Sequence, residues 1–164
     1  TGIVEADDQL PKLEQIAPGD VLYGLPSSGV HSNGLSLARK AVPSSNAALW
    51  AELLKPTKIY VSELETLIGS GSALAAAHVT GGGLVANLKR VLPVGVVPSV
   101  TWNWPTPPIF EQIARLGDIS PDEMRTVFNM GVGIVLVAPS DAPIEDVAAD
   151  AGIDLLRIGV VADG

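Results

Sequence analysis

The sequence predicts a domain in which helices and strands alternate around a mixed β-sheet. Three observations lead to this prediction: short apolar runs of strand length, apolar residues spaced as on one face of a helix, and glycine-rich corners between them. The unit of strand, glycine-rich corner and helix occurs twice in the chain. Alternation of this kind is typical of a sheet covered by helices.

The first half of the chain predicts two strands and four helices. Apolar residues are continuous in each strand, whereas they recur every three or four residues in each helix. Pro56 closes the second helix, and Gly69 and Gly71 end the third. The predicted strands are residues 21–25 and 73–79, and the predicted helices begin near Leu35, Ala47, Ile59 and Leu84.

The second half predicts three strands and three helices. Pro98 cannot donate a ladder hydrogen bond, so residues 94–100 are predicted as an edge strand. The clearest helix start is Ser120, an N-cap followed by Pro121 and by Glu123, which completes a capping box. The other predicted elements are a helix over 109–116, a strand over 131–137, a helix capped by Ser140 or Asp141 and ending at Ala149, and a strand over 154–161.

Length and composition are typical of a compact, aliphatic, enzyme-like domain. The 164 residues suit one domain over 1–164, and 47% are hydrophobic but only 4% aromatic. The net charge of −8 argues against nucleic-acid binding through phosphates. No apolar run reaches the roughly 18 residues that span a bilayer, so we expect no membrane association. Without cysteine the chain has no disulfide or thiolate chemistry.

Two glycine-rich corners carry the candidate site. One lies within SSGVHSNG and the other is TGGG, and each stands between a predicted strand and a predicted helix. Backbone N–H groups at a helix start hold an anion without a lysine, and glycine lets a ligand approach closely. A simpler interpretation stays open, in which the glycines only turn the chain and Ser32 or Asn33 only caps a helix. Neither corner matches the Walker loop or the dinucleotide fingerprint.

His31 and His78 are the only two histidines, and each lies beside one of these corners. This placement favours ligand contact or proton handling, although a surface or packing role stays open. No carboxylate stands at helical spacing from either histidine, so no metal site is predicted on them. A serine hydrolase is disfavoured because no G-x-S-x-G nucleophile elbow occurs.

Two further features have two interpretations each. Trp102 and Trp104 stand in a proline-flanked segment; they either stack on a base or, as we favour, pack on the sheet. Gly131 and Gly133 interrupt a strand pattern, which indicates close approach of a ligand or another backbone, or else a simple bulge.

Five stretches taken together resemble one known family. In chain order they are GLPSSGVHSNGLSLARK, PTKIYV, AHVTGGGLVANLKRVLP, PPIFEQIARLGDISPDEM and FNMGVGIVLV. Over about residues 2–161 the chain is similar to the C-terminal domain of the phosphoribosylformylglycinamidine cyclo-ligase (AIR synthetase) family. The resemblance implies an α+β fold, a three-layer α/β/α unit with a mixed sheet.

The same resemblance implies a function. Members of the family close formylglycinamidine ribonucleotide to aminoimidazole ribonucleotide in cytoplasmic purine biosynthesis, with ATP and Mg²⁺. Their N-terminal domain, implied to carry most ATP and metal ligands and the main dimer contacts, is missing from this sequence. We therefore expect the parent enzyme to be a homodimer. We expect the isolated domain to be inactive and to bind no cofactor.

Carried over onto this sequence, the resemblance places both corners on the wall of a cleft against the N-terminal domain. The expected catalytic residues are His31, Asn33 and His78. The backbone N–H groups are expected to hold phosphates of the ribonucleotide substrate or of ATP. The expected substrate- and phosphate-binding residues are Ser27, Ser28, Gly29, Ser32, Gly34, Thr80, Gly81, Gly82 and Gly83.

Two other functions stay open on the sequence alone. The chain could be a non-catalytic module that holds a phosphorylated metabolite. It could also be the equivalent domain of a related enzyme, such as formylglycinamide ribonucleotide amidotransferase, which acts one step earlier.

Overall fold

Helices and strands alternate along the chain, as predicted, in the computed structural model, which describes residues 9–164. The strands within this range are β1 (Val21–Pro26), β2 (Ala75–His78), β3 (Val96–Val100), β4 (Val132–Ala138) and β5 (Leu156–Asp163). The helices are α1 (Leu35–Ala41), α2 (Ala47–Leu53), α3 (Val61–Gly69), α4 (Gly83–Leu88), α5 (Pro108–Gly117), α6 (Pro121–Val127) and α7 (Ile144–Asp150). The resemblance begins in residues 1–8, which lie outside this range.

The five strands form one sheet in the order β2-β4-β1-β5-β3. All four neighbouring pairs are antiparallel, so the prediction of a mixed sheet is wrong. The physical reason is that β4, which comes late in the chain, lies between β1 and β2. These two strands share a direction but are not neighbours. The prediction that β3 is an edge strand is confirmed.

Helices cover both faces of the sheet, which confirms the α+β class. On one face, α3 and α7 pack Leu67 and Ile144 against Tyr23 and Leu136 of the sheet. On the other face, α4 packs Leu84 and Leu88 against sheet residues that include Leu22, Val135 and Val137. Burial of these aliphatic side chains, at about 25 cal/mol for each Å² of apolar surface, is the main force that holds the layers together.

The remaining helices, α1, α2, α5 and α6, share a third apolar cluster. Its centre is the pair Phe110 and Phe128, whose rings meet edge to face with centroids 6.0 Å apart. Helix α6 also contacts α4, and this contact joins the helical cluster to the sheet.

The two predicted helix caps have different outcomes. The Ser120 hydroxyl accepts a hydrogen bond from the Glu123 N–H at 3.2 Å, so the start of α6 is confirmed. The cap at Ser140 or Asp141 is wrong, because α7 begins at Ile144 after Pro143. The residues before it form a turn instead, closed by a hydrogen bond from the Ala142 N–H to the Pro139 carbonyl.

Candidate functional site

The two glycine-rich corners leave the sheet at the same end. We call residues 27–34 loop 1 and residues 79–83 loop 2. Loop 1 follows β1 and loop 2 follows β2, and both strands pair antiparallel with β4. The first residues of β4 therefore lie between the two loops. The Ser27 N–H donates to the Gly131 carbonyl at 2.8 Å, and the Val79 N–H donates to the Gly133 carbonyl at 2.8 Å.

Loop 1 is held by Asn129, a buried residue with 1% exposure. Its amide nitrogen donates to the Gly29 carbonyl at 2.9 Å. Its amide oxygen accepts from the Gly131 N–H at 2.9 Å and from the Ser27 hydroxyl at 3.2 Å. One side chain thus ties the loop to the start of β4.

Loop 2 is held in the same way by Asn87, which is 4% exposed. Its amide nitrogen donates to the carbonyls of Gly83 at 2.7 Å and Thr80 at 3.2 Å, and its amide oxygen accepts from the Thr80 hydroxyl at 3.0 Å. The hydroxyls of Ser27 and Thr80, both predicted to contact a ligand, are therefore engaged in bracing their own loops.

His31 is buried at the base of loop 1, with 4% exposure and a left-handed φ of 55°. Its Nε2 accepts a hydrogen bond from the Ser28 N–H at 3.3 Å. In a neutral imidazole the proton is then on Nδ1. This Nδ1 is buried and has no hydrogen-bond partner within residues 9–164. Buried polar atoms almost always have a hydrogen-bond partner, so this nitrogen is an exception within the described residues.

Burial lowers the pKa of His31 below its usual range, and the nearby His78 lowers it further. Low polarity disfavours the charged ring, and a second imidazolium would repel it. His31 is therefore neutral at pH 7. His78 itself is exposed at the end of β2.

Gly133 of β4 makes room for the His31 ring. A Cβ at this position would overlap the Tyr60 hydroxyl and lie 2.7 Å from His31 Cε1. The Tyr60 ring stands edge-on to His31 with centroids 6.1 Å apart, and its hydroxyl donates to the Pro26 carbonyl at 2.9 Å. The approach at Gly133 is close, but it is made by two side chains and not by the predicted ligand or second backbone. The register also shifts at this point, between Leu25 and Pro26.

Other predicted residues of loop 1 face a neighbouring segment. The Ser28 hydroxyl donates to the Pro56 carbonyl at 2.8 Å, and the Ser32 hydroxyl lies 3.4 Å from that of Thr57. Ser28 and Ser32 are exposed, and Asn33 is half-buried. The structure therefore brings both loops to one end of the sheet but turns these two serines toward residues 56–57.

The glycines at the helix starts have a packing role. Gly34 and Gly82 are the left-handed N-caps of α1 and α4, and no side chain caps either helix. A Cβ at Gly34 would overlap the Phe128 ring, and one at Gly83 would overlap the Arg125 carbonyl. Gly81, by contrast, has open space around its Cα and is exposed. The two helices have only seven and six residues, so any anion here would depend on individual N–H groups more than on a helix dipole.

Sequence reasoning did not single out Asn129, Asn87 or Tyr60. All three stand inside stretches that carry the family resemblance, FNMGVGIVLV, AHVTGGGLVANLKRVLP and PTKIYV. Each of them is an uncharged polar or amphipathic residue within an apolar run. Such a residue needs hydrogen-bond partners if it is buried, and this was the available sequence signal. Its partner could not be read from the chain.

No three metal-ligating side chains among residues 9–164 come together as a group. None of the helices in this range combines the length and apolar character needed to cross a bilayer.

The sequence is similar to proteins that carry names from purine biosynthesis. The phosphoribosylformylglycinamidine cyclo-ligase of Shouchella clausii is 44% identical over 153 residues, which cover 85% of this chain and 44% of that protein. The enzyme of the same name from Myxococcus xanthus is 40% identical, covering 92% and 48%. The trifunctional purine biosynthetic protein adenosine-3 of Drosophila melanogaster is 45% identical, covering 89% and 12%. The chain spans about half the length of the cyclo-ligases that it matches.

Structural comparison identifies the same fold in more distant proteins. Thiamine-monophosphate kinase from Stenotrophomonas maltophilia K279a superposes with a TM-score of 0.59 at 22% identity, covering 91% of this chain and 49% of that one. T. maritima PurL complexed with AMPPCP superposes with a TM-score of 0.53 at 14% identity, covering 98% and 24%. Identities this low show the fold alone.

A family model described as AIR synthase related protein, C-terminal domain, matches residues 17–164. The match includes both loops, both bracing asparagines and every strand of the sheet. The chain therefore belongs to the AIR synthase related family, as a C-terminal domain.

Proposed function

We propose that this chain is the C-terminal half of an ATP-dependent phosphoribosylformylglycinamidine cyclo-ligase. The enzyme would close formylglycinamidine ribonucleotide to aminoimidazole ribonucleotide in purine biosynthesis. Relatives that carry this name are 40% and 44% identical over most of the chain, which supports the proposal. We further propose that residues 1–164 are a single domain, that the whole enzyme is a cytoplasmic homodimer, and that its N-terminal half forms the opposite wall of the cleft.

The observation that carries the proposal is the convergence of the two loops around the start of β4. A buried imidazole with an unpaired N–H lies at that point, against Gly133. Buried donors without a partner are rare in folded proteins, and they concentrate at functional sites. An oxygen-rich substrate at this end of the sheet would supply the missing acceptor.

The residues of this chain would bind and orient the substrate. ATP supplies the phosphoryl group that turns the formyl oxygen into a leaving group. Nδ1–H of neutral His31 would donate to a substrate oxygen, and the Asn33 amide, His78 and the N–H groups of loop 2 would line the same groove. Rate enhancement in such a site comes from placement and charge stabilisation, without a protein nucleophile.

Nucleotide use is supported by a distant relative, since the T. maritima PurL structure contains the ATP analogue AMPPCP. The described residues of this chain do not fit a Mg²⁺ site, because they contain no cluster of metal-ligating side chains. Mg²⁺ prefers carboxylate and other oxygen ligands, and we assign them to the N-terminal half. No step on this chain depends on the metal.

The proposal is tested in the full-length polypeptide that contains this chain. We expect it to convert formylglycinamidine ribonucleotide to aminoimidazole ribonucleotide while consuming ATP. Asn33→Ala should lower kcat/KM about 10- to 100-fold, because a hydrogen bond to a charged group is lost. Asn103→Ala is the matched control, since Asn103 is exposed and bonds only to Thr101 in the described chain.

Unchanged turnover in both Asn33→Ala and His31→Gln would contradict the proposed site. Absence of turnover in the wild-type polypeptide, together with tight binding of the ribonucleotide in calorimetry, would support the second candidate, a non-catalytic phosphometabolite-binding module. The amidotransferase alternative is weaker, because the relatives that are 40% and 44% identical over most of the chain carry the cyclo-ligase name.

A further inference from the structure

A cavity of about 300 Å³ lies between α5, α6 and the proline-rich segment 102–107. It shares no lining residue with loop 1 or loop 2. The chain has only three Trp, two Tyr and two Phe, and three of these seven aromatic side chains line this one cavity. The residues that define it here are Trp102, Trp104, Phe110, Glu111, Met124 and Arg125. We call it the tryptophan cavity.

The backbone around the tryptophan cavity is held in an unusual conformation. Trp102 has a φ of 55° and Met130, also in the lining, has a φ of 51°. Bulky residues rarely adopt the left-handed region, and such strain clusters at ligand sites when the surrounding structure maintains it. Here the indole N–H of Trp104 donates to the Met130 carbonyl at 2.9 Å, which helps to hold Met130 in this conformation.

Two indole rings and a guanidinium group stack on one another in the cavity wall. Trp104 is 8% exposed and packs against the core of the sheet, as favoured above, while the half-buried Trp102 lies beside it. The rings of Trp102 and Trp104 have centroids 5.3 Å apart and are tilted by 32°. The Arg125 guanidinium lies 4.8 Å from the centroid of the Trp102 ring. Its side chain is 40% exposed, and its Nη1 lies 3.6 Å from a carboxylate oxygen of the exposed Asp122. The other N–H groups of the planar guanidinium can donate hydrogen bonds from its edge.

The polar groups of the lining restrict the ligand further. Arg125 can only donate hydrogen bonds, and an ionised Glu111 can only accept them. A matching ligand therefore carries both an acceptor and a donor on a flat ring. The volume is at the lower end of the range for ligand pockets, which suits one ring system. Glu111 and the net charge of −8 both disfavour a phosphate group.

We propose that the tryptophan cavity binds a neutral, amino-substituted heteroaromatic ring of the adenine type. Stacking on the indole and guanidinium planes would provide affinity. The opposite hydrogen-bonding characters of Arg125 and Glu111 would select an aminated ring over a plain one. This inference does not depend on the cyclo-ligase function, because it uses a different part of the molecule.

The test is a titration of the 164-residue chain with adenine, followed by the indole N–H signals in NMR. Trp102 and Trp104 should shift saturably, whereas Trp50 on α2, which does not line the cavity, should stay in place. Purine, which lacks the amino group, should bind about fivefold more weakly because one hydrogen bond is lost. AMP should also bind more weakly than adenine, because its phosphate is repelled.

Trp102→Leu should weaken adenine binding at least about fivefold, as expected when a stacking partner of a base is removed. Arg125→Gln should do the same, and it carries the test if Trp102→Leu fails to fold. Arg115→Gln is the matched control, since Arg115 is an exposed cation of α5 outside the lining. Circular dichroism confirms that each variant is folded.

The proposal is overturned by no saturable shift with adenine, by equal shifts at all three indoles, or by unchanged affinity in a folded Arg125→Gln variant. Tighter binding of AMP than of adenine would also reject it, since the cavity would then be a nucleotide site.

Discussion

Loop 1 and loop 2 leave the same end of the sheet, yet they are held by contacts of very different range. Asn129 stands 100 residues from Gly29, whose carbonyl it binds in loop 1. Asn87 stands only seven residues from Thr80 and four from Gly83 in loop 2. Loop 2 is therefore a local unit of strand end and helix start, whereas loop 1 exists only when distant parts of the chain have come together.

The two loops also differ in burial. Loop 1 encloses the buried His31, while Gly81 and Gly82 of loop 2 are exposed. An exposed loop has water as an alternative partner for its backbone, and a buried one does not. We therefore expect damage to loop 1 to cost global stability and damage to loop 2 to stay local.

The largest effect is expected for Asn129→Ala. The change leaves the Gly29 carbonyl and the Gly131 N–H without their partner in a buried place, which should cost about 3 kcal/mol of unfolding free energy. Asn87→Ala should cost about half as much, on the order of 1–2 kcal/mol, because water can reach the half-buried Thr80 and so replace part of what is lost. Urea denaturation measures both values.

Asn33→Ala, at a half-buried asparagine of loop 1, is the control for both variants and should stay within about 0.5 kcal/mol of wild type. A larger loss in Asn87→Ala than in Asn129→Ala would reverse the comparison between the loops.

Gly133→Ala is expected to lower the unfolding free energy less than Asn129→Ala does. The new methyl group has no space between the Tyr60 hydroxyl and the His31 ring, so we expect a loss of about 2 kcal/mol and a displaced His31. Gly81→Ala is the matched change in loop 2, where the added Cβ meets nothing within 4 Å, and it should leave stability unchanged. Thermal unfolding and the His31 ring signals in NMR check the pair; equal effects at both glycines would show that loop 1 is not tightly packed.

The smallest effect is a pH dependence that comes from His31. Its pKa is lowered in the folded state, first by burial and then by His78, so the unfolded chain, with a pKa of about 6.5, takes up the proton first as the pH falls. The stabilisation from neutral His31 is therefore complete above about pH 6.5 and is lost progressively below it. Urea midpoints between pH 5 and 8 should show this slope, and His31→Gln should flatten it. A slope that persists in the variant would assign the titration to other groups.

Local features of the fold could be predicted from the sequence, and distant ones could not. The Ser120 cap depends on residues close in sequence, such as Pro121. The edge position of β3 is indicated by Pro98 within the strand itself. Both features could therefore be predicted from the sequence. The insertion of β4 between β1 and β2 depends on long-range pairing, and it turned an expected mixed sheet into an antiparallel one.

The candidate site shows the same division. The glycine corners and both histidines were visible as a local pattern, and the structure places the two loops on either side of the start of β4. The asparagines that hold the loops were not predicted. Asn129 can hydrogen-bond to loop 1 only when the start of β4 lies beside that loop. The contribution of each predicted residue to ligand binding stays a prediction.

The missing side chain at Gly83 has a mechanical consequence. The backbone of Gly83 lies directly against the Arg125 carbonyl near the end of α6. Such a contact has no flexible side chain that could give way, so a larger residue at position 83 would have to push the first turn of α4 away from the last turn of α6. The side chain of Arg125 lines the tryptophan cavity, so one residue contacts loop 2 through its carbonyl and the cavity through its side chain.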